Sequence, residues 1–141
     1  MNERGDFVLD ASVTLAWCFE DEASPFADEV LDSLNKSVAL VPCIWPLEIT
    51  NVLAMTERRG RIDKAGSIRF ISLITQLPII IEPELPQRIF SEVFAVAREQ
   101  GLSTYDASYL DLAMRQGVAL ATMDASLQEA ARQVGVSLYL K

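Results

Sequence analysis

Short apolar runs alternate along the chain with longer stretches in which apolar and polar residues recur at helical spacing. The apolar runs predict five strands, at about 7–9, 38–41, 79–81, 118–121 and 136–140. Short apolar strands separated by helices are typical of a parallel sheet that is covered on both faces. The pattern therefore predicts an α/β fold, a three-layer α/β/α sandwich with a central parallel sheet of about five strands.

The stretches between the strands carry the start and stop signals of helices. They predict helices over about 12–19, 26–36, 46–59, 63–76, 86–100, 103–116 and 125–134. Pro46 suits the first turn of its helix, Ser103 suits a helix cap, and Gly60, Gly101, Gly117 and Gly135 follow helix ends. No linker, repeat or low-complexity tract interrupts the pattern, so residues 1–141 are expected to form one domain.

The absence of histidine is the most informative feature of the composition. It excludes Ser-His-Asp and Cys-His catalysis as well as zinc sites with histidine ligands. The spacing of Cys18 and Cys43 fits neither a metal site nor a redox motif, which leaves two reduced thiols as the interpretation. If the chain is an enzyme, carboxylates and metal ions are its expected source of acid–base chemistry.

The charge balance is acidic, with 12 Lys and Arg against 20 Asp and Glu, a formal charge of −8. This argues against a protein held on nucleic acid by its overall charge, although a local basic patch and bound cations can outweigh the average. The chain begins without the apolar core of a signal peptide, and its apolar runs are too short to span a membrane. A soluble, cytoplasmic protein without a membrane partner is expected.

Four acidic residues fall at strand ends or helix starts in the predicted scheme. Asp10 follows the first strand, Glu48 lies in the first turn of the helix after the second strand, Asp106 lies in the first turn after Ser103, and Asp124 follows the fourth strand. Such positions share one edge of a parallel sheet, where function gathers near the reversal of strand order. The four acids are therefore predicted to converge.

Each acid alone also has a simpler interpretation. Asp10 and Asp124 could cap helices, Glu48 could favour the positive end of a helix dipole, and Ser103 with Asp106 resembles a capping box. Four carboxylates in a small space, however, repel each other and raise their own pKa values. A hard divalent cation such as Mg²⁺ relieves that repulsion and retains the open positions that a metal-assisted hydrolase needs.

Four motifs carry a resemblance to a known family. They are VLDAS at 8–12, PLEITN at 46–51, LSTYDA at 102–107 and LATMD at 120–124. In this order and spacing they resemble the PIN-domain nucleases, and more narrowly the VapC-type toxins of toxin–antitoxin pairs. The resemblance extends over essentially the whole chain, and none of the acids is missing.

The resemblance implies roles for the residues in these motifs. Asp10 and Asp106 would be the principal metal ligands, and Glu48 and Asp124 would complete the catalytic acids, partly through water or a second metal. Hydroxyl and amide groups would orient ligands or water, and these are Ser12, Asn51, Thr104 and Thr122. Asp111, about 140° around the helix from Asp106, is left out of the site.

The same resemblance implies an activity and partners. The chain would be an endoribonuclease that uses Mg²⁺ or Mn²⁺ and hydrolyses RNA phosphodiester bonds with a metal-activated water. It would be the toxin of a type II pair, neutralised by a cognate antitoxin protein, and a homodimer is the expected assembly. Single-stranded or loop RNA is the expected substrate because its backbone is accessible.

A basic cluster offers an acidic protein a way to hold RNA. Five of the 12 basic residues lie in one short span: Arg58, Arg59, Arg61, Lys64 and Arg69. They are interpreted as a phosphate-binding rim, which could also attract an acidic antitoxin segment, or as a solvated helix end.

Three other interpretations stay open. A PIN-like module that binds without catalysis would keep the scaffold, and metal titration separates it from an enzyme. The start of the chain is also similar to haloacid-dehalogenase-like phosphatases, but Ser12 stands where their second acid belongs. A receiver domain would need paired acids after the first strand and a lysine after the last, whereas Asp10 has no adjacent acid and Lys141 is the terminal residue, so this interpretation ranks below the others.

Overall fold

The computed structural model describes residues 6–140. Within this range it contains one sheet of four strands: β1 Phe7–Leu9, β2 Ala39–Pro42, β3 Ile79–Glu82 and β4 Ala119–Ala121. All neighbours pair in parallel, in the order β3-β2-β1-β4. The predicted parallel α/β sheet is confirmed, and the first four predicted strands lie within one residue of those observed.

Helices connect the strands and cover the sheet. In chain order the helical elements are α1 Ala11–Ala16, a 3₁₀ turn Glu20–Glu22, α2 Pro25–Ser33, α3 Ile44–Arg58, α4 Lys64–Thr75, α5 Pro86–Arg88, a π turn Ile89–Val93, α6 Phe94–Gln100, α7 Thr104–Gln116 and α8 Ala125–Val134. The glycines predicted to end α6, α7 and α8 take left-handed conformations, with Gly117 at φ 66°. This conformation is costly for other residues, so these glycines stop the helices where the sequence predicts.

The connections place the ends of β1 and β4 side by side. From β1 the chain moves to β2 and then β3 at one edge, and β4 returns to the other side of β1. Right-handed crossovers then put α1 to α4 on one face and α5 to α7 on the other. The strand order thus reverses between β1 and β4, where ligands bind in sheets of this kind.

The core lies between the sheet and these helices. All three residues of β1 are fully buried, and α7 contributes Tyr109, Leu110 and Leu112 to the same core. The outer strand β3 is more open, with Ile80 and Ile81 about half exposed. In the described part of the chain, none of the helices has the length and apolar character needed to cross a membrane.

The fifth predicted strand, over 136–140, is wrong. Here the chain makes only an isolated parallel bridge between Leu120 and Leu138, with hydrogen bonds from Leu120 N to Ser137 O (2.9 Å) and from Tyr139 N to Leu120 O (2.9 Å). Leu140 then turns to a positive φ of 59°, which interrupts extended pairing. The apolar pattern reflects contact with the core without a continuous ladder.

Helix α3 begins earlier than predicted, and this moves Glu48. The helix starts at Ile44, so Pro46 is its third residue instead of its first. A proline is tolerated there because the first four N–H groups of a helix have no partner within it. Glu48 therefore lies beyond the first turn of α3, and the prediction that placed it within that turn is corrected.

Candidate active site

Asp10 lies directly after β1, beside the end of β4. Its side chain is buried, and the hydroxyls of Ser12 and Thr122 both donate to Oδ2, each at 2.7 Å. Burial raises the pKa of Asp10; the two hydroxyl hydrogen bonds oppose the rise, and the nearby Asp124 carboxylate adds to it. The hydrogen bonds fix the orientation of this carboxylate, and no lysine or arginine among residues 6–140 forms an ion pair with it.

A small hydrogen-bond network fixes the two hydroxyls that hold Asp10. The Met123 N–H donates to Ser12 Oγ at 3.1 Å, and the Asp124 N–H donates to Thr122 Oγ1 at 3.1 Å. The side chain of Gln128, on α8, donates to the Thr122 carbonyl at 3.0 Å. These bonds connect the loop after β1 to the loop after β4, so neither hydroxyl can rotate freely.

Asp124 is the N-cap of α8. Its Oδ1 accepts the Leu127 N–H at 3.0 Å, as the capping interpretation predicts. Its carboxylate is also close enough to raise the pKa values of Asp10 and Asp106. Capping and membership of the acidic group are therefore compatible in this residue.

Asp106 lies in the first turn of α7, where Ser103 Oγ accepts its N–H at 3.0 Å. The predicted Ser103 cap is confirmed. Partial burial, followed by the charges of Asp10 and Asp124, raises the pKa of Asp106 from 3.8 to about 6. A carboxyl group with such a pKa can exchange a proton near neutral pH.

Glu48 approaches this group from α3. Its Oε1 accepts a hydrogen bond from the hydroxyl of Tyr109 at 2.6 Å. Burial raises the pKa of Glu48, the Tyr109 hydrogen bond lowers it, and the charges of Asp10 and Asp106 raise it further. The four predicted acids thus interact electrostatically with one another, and we call Asp10, Glu48, Asp106 and Asp124 the acidic cleft.

The donor set of the acidic cleft fits a hard divalent cation. All four side chains offer carboxylate oxygens, the ligands that Mg²⁺ and Mn²⁺ prefer. Among residues 6–140, however, no three acidic or thiol side chains already converge closely enough to enclose an ion. Neighbouring carboxylates nevertheless help to raise the pKa values of Asp10, Glu48 and Asp106. A cation in the cleft would be held directly by some of these carboxylates and through water by the others.

Two of the four predicted orienting residues point elsewhere. Asn51 is exposed and donates through its amide to Met55 Sδ at 3.6 Å, although it shares a depression with Glu48 and Tyr105. Thr104 is exposed at the first position of α7. It lines a second groove, next to the depression beside Glu48, together with Cys43 and Glu82. Ser12 and Thr122 thus contact Asp10 directly, whereas Asn51 and Thr104 line two surface depressions near the acidic cleft.

The basic cluster lies away from the acidic cleft along α3. Arg58 is ten residues after Glu48, which corresponds to about 15 Å along the helix. Arg61 forms an ion pair with Asp21 at 2.8 Å and lies over the ring of Phe19. All members of the cluster are exposed: Arg58, Arg59, Arg61, Lys64 and Arg69. Any RNA that reaches both regions must extend along α3.

A second group of charges surrounds Asp111, on the other side of α7. Arg88 Nη2 lies 2.8 Å and 2.9 Å from the two oxygens of Asp111, and Arg115 Nε lies 3.4 Å from Oδ2. Glu84 contacts both arginines, at 3.2 Å and 3.5 Å. We call Glu84, Arg88, Asp111 and Arg115 the ion-pair cluster. The placement of Asp111 agrees with its omission from the predicted site.

Sequence reasoning missed Tyr109, whose hydroxyl contacts Glu48 directly. A signal was available, because Tyr109 follows Asp106 by three residues on a helix and so shares its face. A tyrosine in an apolar stretch is nevertheless usual in a core. Its contact with Glu48 depends on how α3 and α7 pack, which the sequence pattern does not specify.

The PIN domain family matches residues 7–133 of the chain. Exonuclease VapC9 from Pyrobaculum aerophilum is 36% identical over 81 residues, which are 57% of this chain and 57% of that protein. The match thus spans little more than half the length of that relative. Ribonuclease VapC3 from the same organism is 25% identical over 122 residues, 86% of this chain and 92% of that protein.

Solved structures show the same architecture. The crystal structure of PAE2754 from Pyrobaculum aerophilum has a TM-score of 0.70 and 26% identity, with 91% of this chain and 86% of that chain covered. FitAcB from Neisseria gonorrhoeae has a TM-score of 0.62 and 17% identity, with 94% and 96% covered. At 17% identity, the second likeness concerns the fold alone.

Proposed function

Because this chain belongs to the PIN domain family, we propose that it is a divalent-metal-dependent endoribonuclease that acts as one nuclease domain. The observation that carries the proposal is the acidic cleft at the reversal of strand order, where Ser12 and Thr122 hold Asp10. Oriented carboxylates without arginine or lysine partners are typical of a functional site. The similarity to Ribonuclease VapC3 favours RNA as the substrate.

Asp10 and Asp106 are the proposed metal ligands, with Mg²⁺ or Mn²⁺ as the ion. Asp10 is the more rigid of the two, since both hydroxyl donors hold one of its oxygens. A bound divalent cation supplies Lewis-acid chemistry for phosphodiester hydrolysis, which a chain without histidine otherwise lacks. Glu48 and Asp124 would add negative charge to the site, directly or through water.

The carboxylates also supply the acid–base chemistry. The raised pKa of Asp106 belongs to the metal-free cleft, and a bound cation would stabilise its carboxylate form. Asp106 would then act as a ligand, and a neighbouring carboxylate, Glu48 or Asp124, would accept the proton from the attacking water. The exposed face of α3 beside Glu48 leaves room for an extended RNA strand, with Arg58 and Arg59 available to its phosphates.

We propose further that the enzyme is the toxin of a type II toxin–antitoxin pair in the cytoplasm. The similarity to the VapC relatives supports this proposal. An antitoxin protein and a second copy of the chain are the proposed partners. A non-catalytic PIN-like module remains the competing proposal. It predicts no cation binding in the acidic cleft, whereas the nuclease proposal requires it.

The test is cleavage of a mixed single-stranded RNA pool by purified protein, with Mg²⁺ or Mn²⁺ and with EDTA. Asp10→Asn should remove cleavage, and Asp32→Asn is the matched control because Asp32 is exposed on α2, outside the acidic cleft. We expect cleavage that both EDTA and Asp10→Asn abolish and that Asp32→Asn retains. If the unmodified protein neither cuts RNA nor binds a divalent cation, the result would favour the non-catalytic module.

A further inference from the structure

Tyr109 is a fully buried tyrosine whose hydroxyl is aimed at the acidic cleft. The residue has 0% of its surface exposed, and its hydroxyl donates to Glu48 Oε1 at 2.6 Å. A buried hydroxyl without a partner destabilises a protein, and Glu48 supplies the partner for this one. It joins α7 to α3, across 61 residues of sequence.

The contact constrains a side chain that would otherwise be mobile. A glutamate has three rotatable bonds, and Glu48 is only partly buried. The Tyr109 hydrogen bond occupies Oε1, so the second oxygen of Glu48 stays available to other groups. Asp106 lies three residues before Tyr109 on α7, and its charge acts on Glu48.

We infer that Tyr109 is a positioning residue: it holds Glu48 by Oε1 beside the acidic cleft and leaves the second carboxylate oxygen free to reach, directly or through a water, a cation bound by Asp10 and Asp106. The inference rests on the proposed function, since it takes the acidic cleft to be a cation site. Tyr109 itself touches neither the ion nor the RNA. Groups that orient ligands in this way typically change metal affinity or activity by about 10–100-fold when they are removed.

The hydroxyl of Tyr109 suits it to this role, because a tyrosine hydroxyl is protonated at neutral pH and can donate to the Glu48 carboxylate. Phenylalanine keeps the ring in the core and removes only this donor, so Tyr109→Phe isolates the hydrogen bond from the packing.

The experiment is a calorimetric titration of the RNA-free protein with Mn²⁺. We expect Tyr109→Phe to weaken Mn²⁺ binding by about tenfold or more. Tyr139→Phe is the matched control, because Tyr139 stacks on Phe7 at 3.8 Å between ring centroids and its ring would be retained. That control should bind Mn²⁺ as the unmodified protein does.

A double-mutant cycle with Glu48→Gln decides whether Tyr109 acts through Glu48. If it does, Tyr109→Phe should weaken binding little further once Glu48 has been changed. Independent, additive effects of the two substitutions would overturn the inference, as would a Tyr109→Phe variant that binds Mn²⁺ within about twofold of the unmodified protein. A thermal unfolding curve for each variant checks that the fold is intact.

The outcomes separate this inference from the proposed function. If Tyr109→Phe weakens Mn²⁺ binding but the unmodified protein cuts no RNA, the inference is supported and the nuclease proposal is contradicted. If the unmodified protein cuts RNA but Tyr109→Phe binds Mn²⁺ unchanged, the nuclease proposal is supported and the inference is overturned. An unmodified protein that binds no Mn²⁺ would overturn both, because Glu48 would then have no ion to be positioned for.

Discussion

Two groups of buried or partly buried charges share helix α7 and differ in what balances their carboxylates. In the ion-pair cluster, Asp111 is buried but faces the guanidinium groups of Arg88 and Arg115. In the acidic cleft, Asp106 faces Asp10 and Asp124, and its pKa is raised to about 6. Five residues along one helix therefore separate a compensated carboxylate from an uncompensated one.

The difference distinguishes a structural role from a functional one. Buried charges in folded proteins are normally paired, because removal from water without a partner is costly. The ion-pair cluster follows this rule within the chain itself. The acidic cleft departs from it, because the causes of the raised pKa values of Asp10, Glu48 and Asp106 include neighbouring carboxylates and no arginine or lysine; the proposed cation would balance their charge. Such departures are expected where a protein gives up stability for function.

The largest expected effect comes from Asp106→Asn. It removes a proposed metal ligand, so RNA cleavage should fall by more than the roughly 100-fold loss seen when groups that merely orient ligands are removed. In EDTA at pH 7, the free energy of unfolding should be unchanged or rise by about 1 kcal/mol, because repulsion in the cleft is relieved. Cleavage assays and denaturant unfolding measure the two effects. A variant that still cuts RNA in response to metal would contradict the site assignment.

Asp111→Asn is the matched substitution in the ion-pair cluster and should behave in the opposite way. It removes the buried charge that Arg88 and Arg115 share and leaves Glu84 as the one carboxylate of the ion-pair cluster that contacts both arginines. Breaking a fully buried pair costs about 3–5 kcal/mol. Since the arginine side chains are about a quarter exposed, we expect a loss of about 2 kcal/mol in unfolding free energy. Cleavage per folded molecule should persist; a stable variant that no longer cuts would mean that Asp111 belongs to the site.

The smallest effect is the pH dependence of metal-free stability. The pKa of Asp106 is about 6 in the folded protein against 3.8 as its ordinary value. The folded state therefore holds a proton that the unfolded state has lost between about pH 4 and 6, and stability falls as the pH rises through this window. Because solvent reaches part of Asp106, the change should be only about 1 kcal/mol.

The comparison of unmodified protein with Asp106→Asn isolates this contribution. Denaturant unfolding in EDTA at pH 4.5 and pH 7.5 should show the variant gaining relative stability at the higher pH. A constant difference between the two proteins at both pH values would show that Asp106 is not perturbed by its neighbours.

Much of the fold was predictable because local signals and burial agree. Glycines follow α6, α7 and α8, and Ser103 caps α7. All four strands of the sheet coincide with short apolar runs in the sequence. The failures occur where local signals are ambiguous. Pro46 fits any of the first helical positions, so it did not locate the start of α3. The apolar residues after Gly135 contact the core without forming a strand.

In the acidic cleft, the sequence predicts residues whose positions are set by the backbone better than it predicts contacts between side chains. The positions of Asp10, Asp106 and Asp124 depend on where strands end and helices begin, which the sequence indicates. The groups around them depend on side-chain packing between elements distant in sequence. Thr122 reaches Asp10, whereas Thr104 occupies the adjacent groove. The contact of Tyr109 with Glu48 has the same origin.

The hydrogen bond from Thr122 to Asp10 spans 112 residues and has a consequence for synthesis of the chain. During translation, Asp10, Glu48 and Asp106 all leave the ribosome before Thr122. Until β4 emerges and pairs with β1, Asp10 lacks one of its two hydroxyl partners and its neighbouring strand. Long-range pairings of this kind form late. A nascent chain therefore carries Asp10, Glu48 and Asp106 in an unassembled state until β4 has emerged and paired with β1.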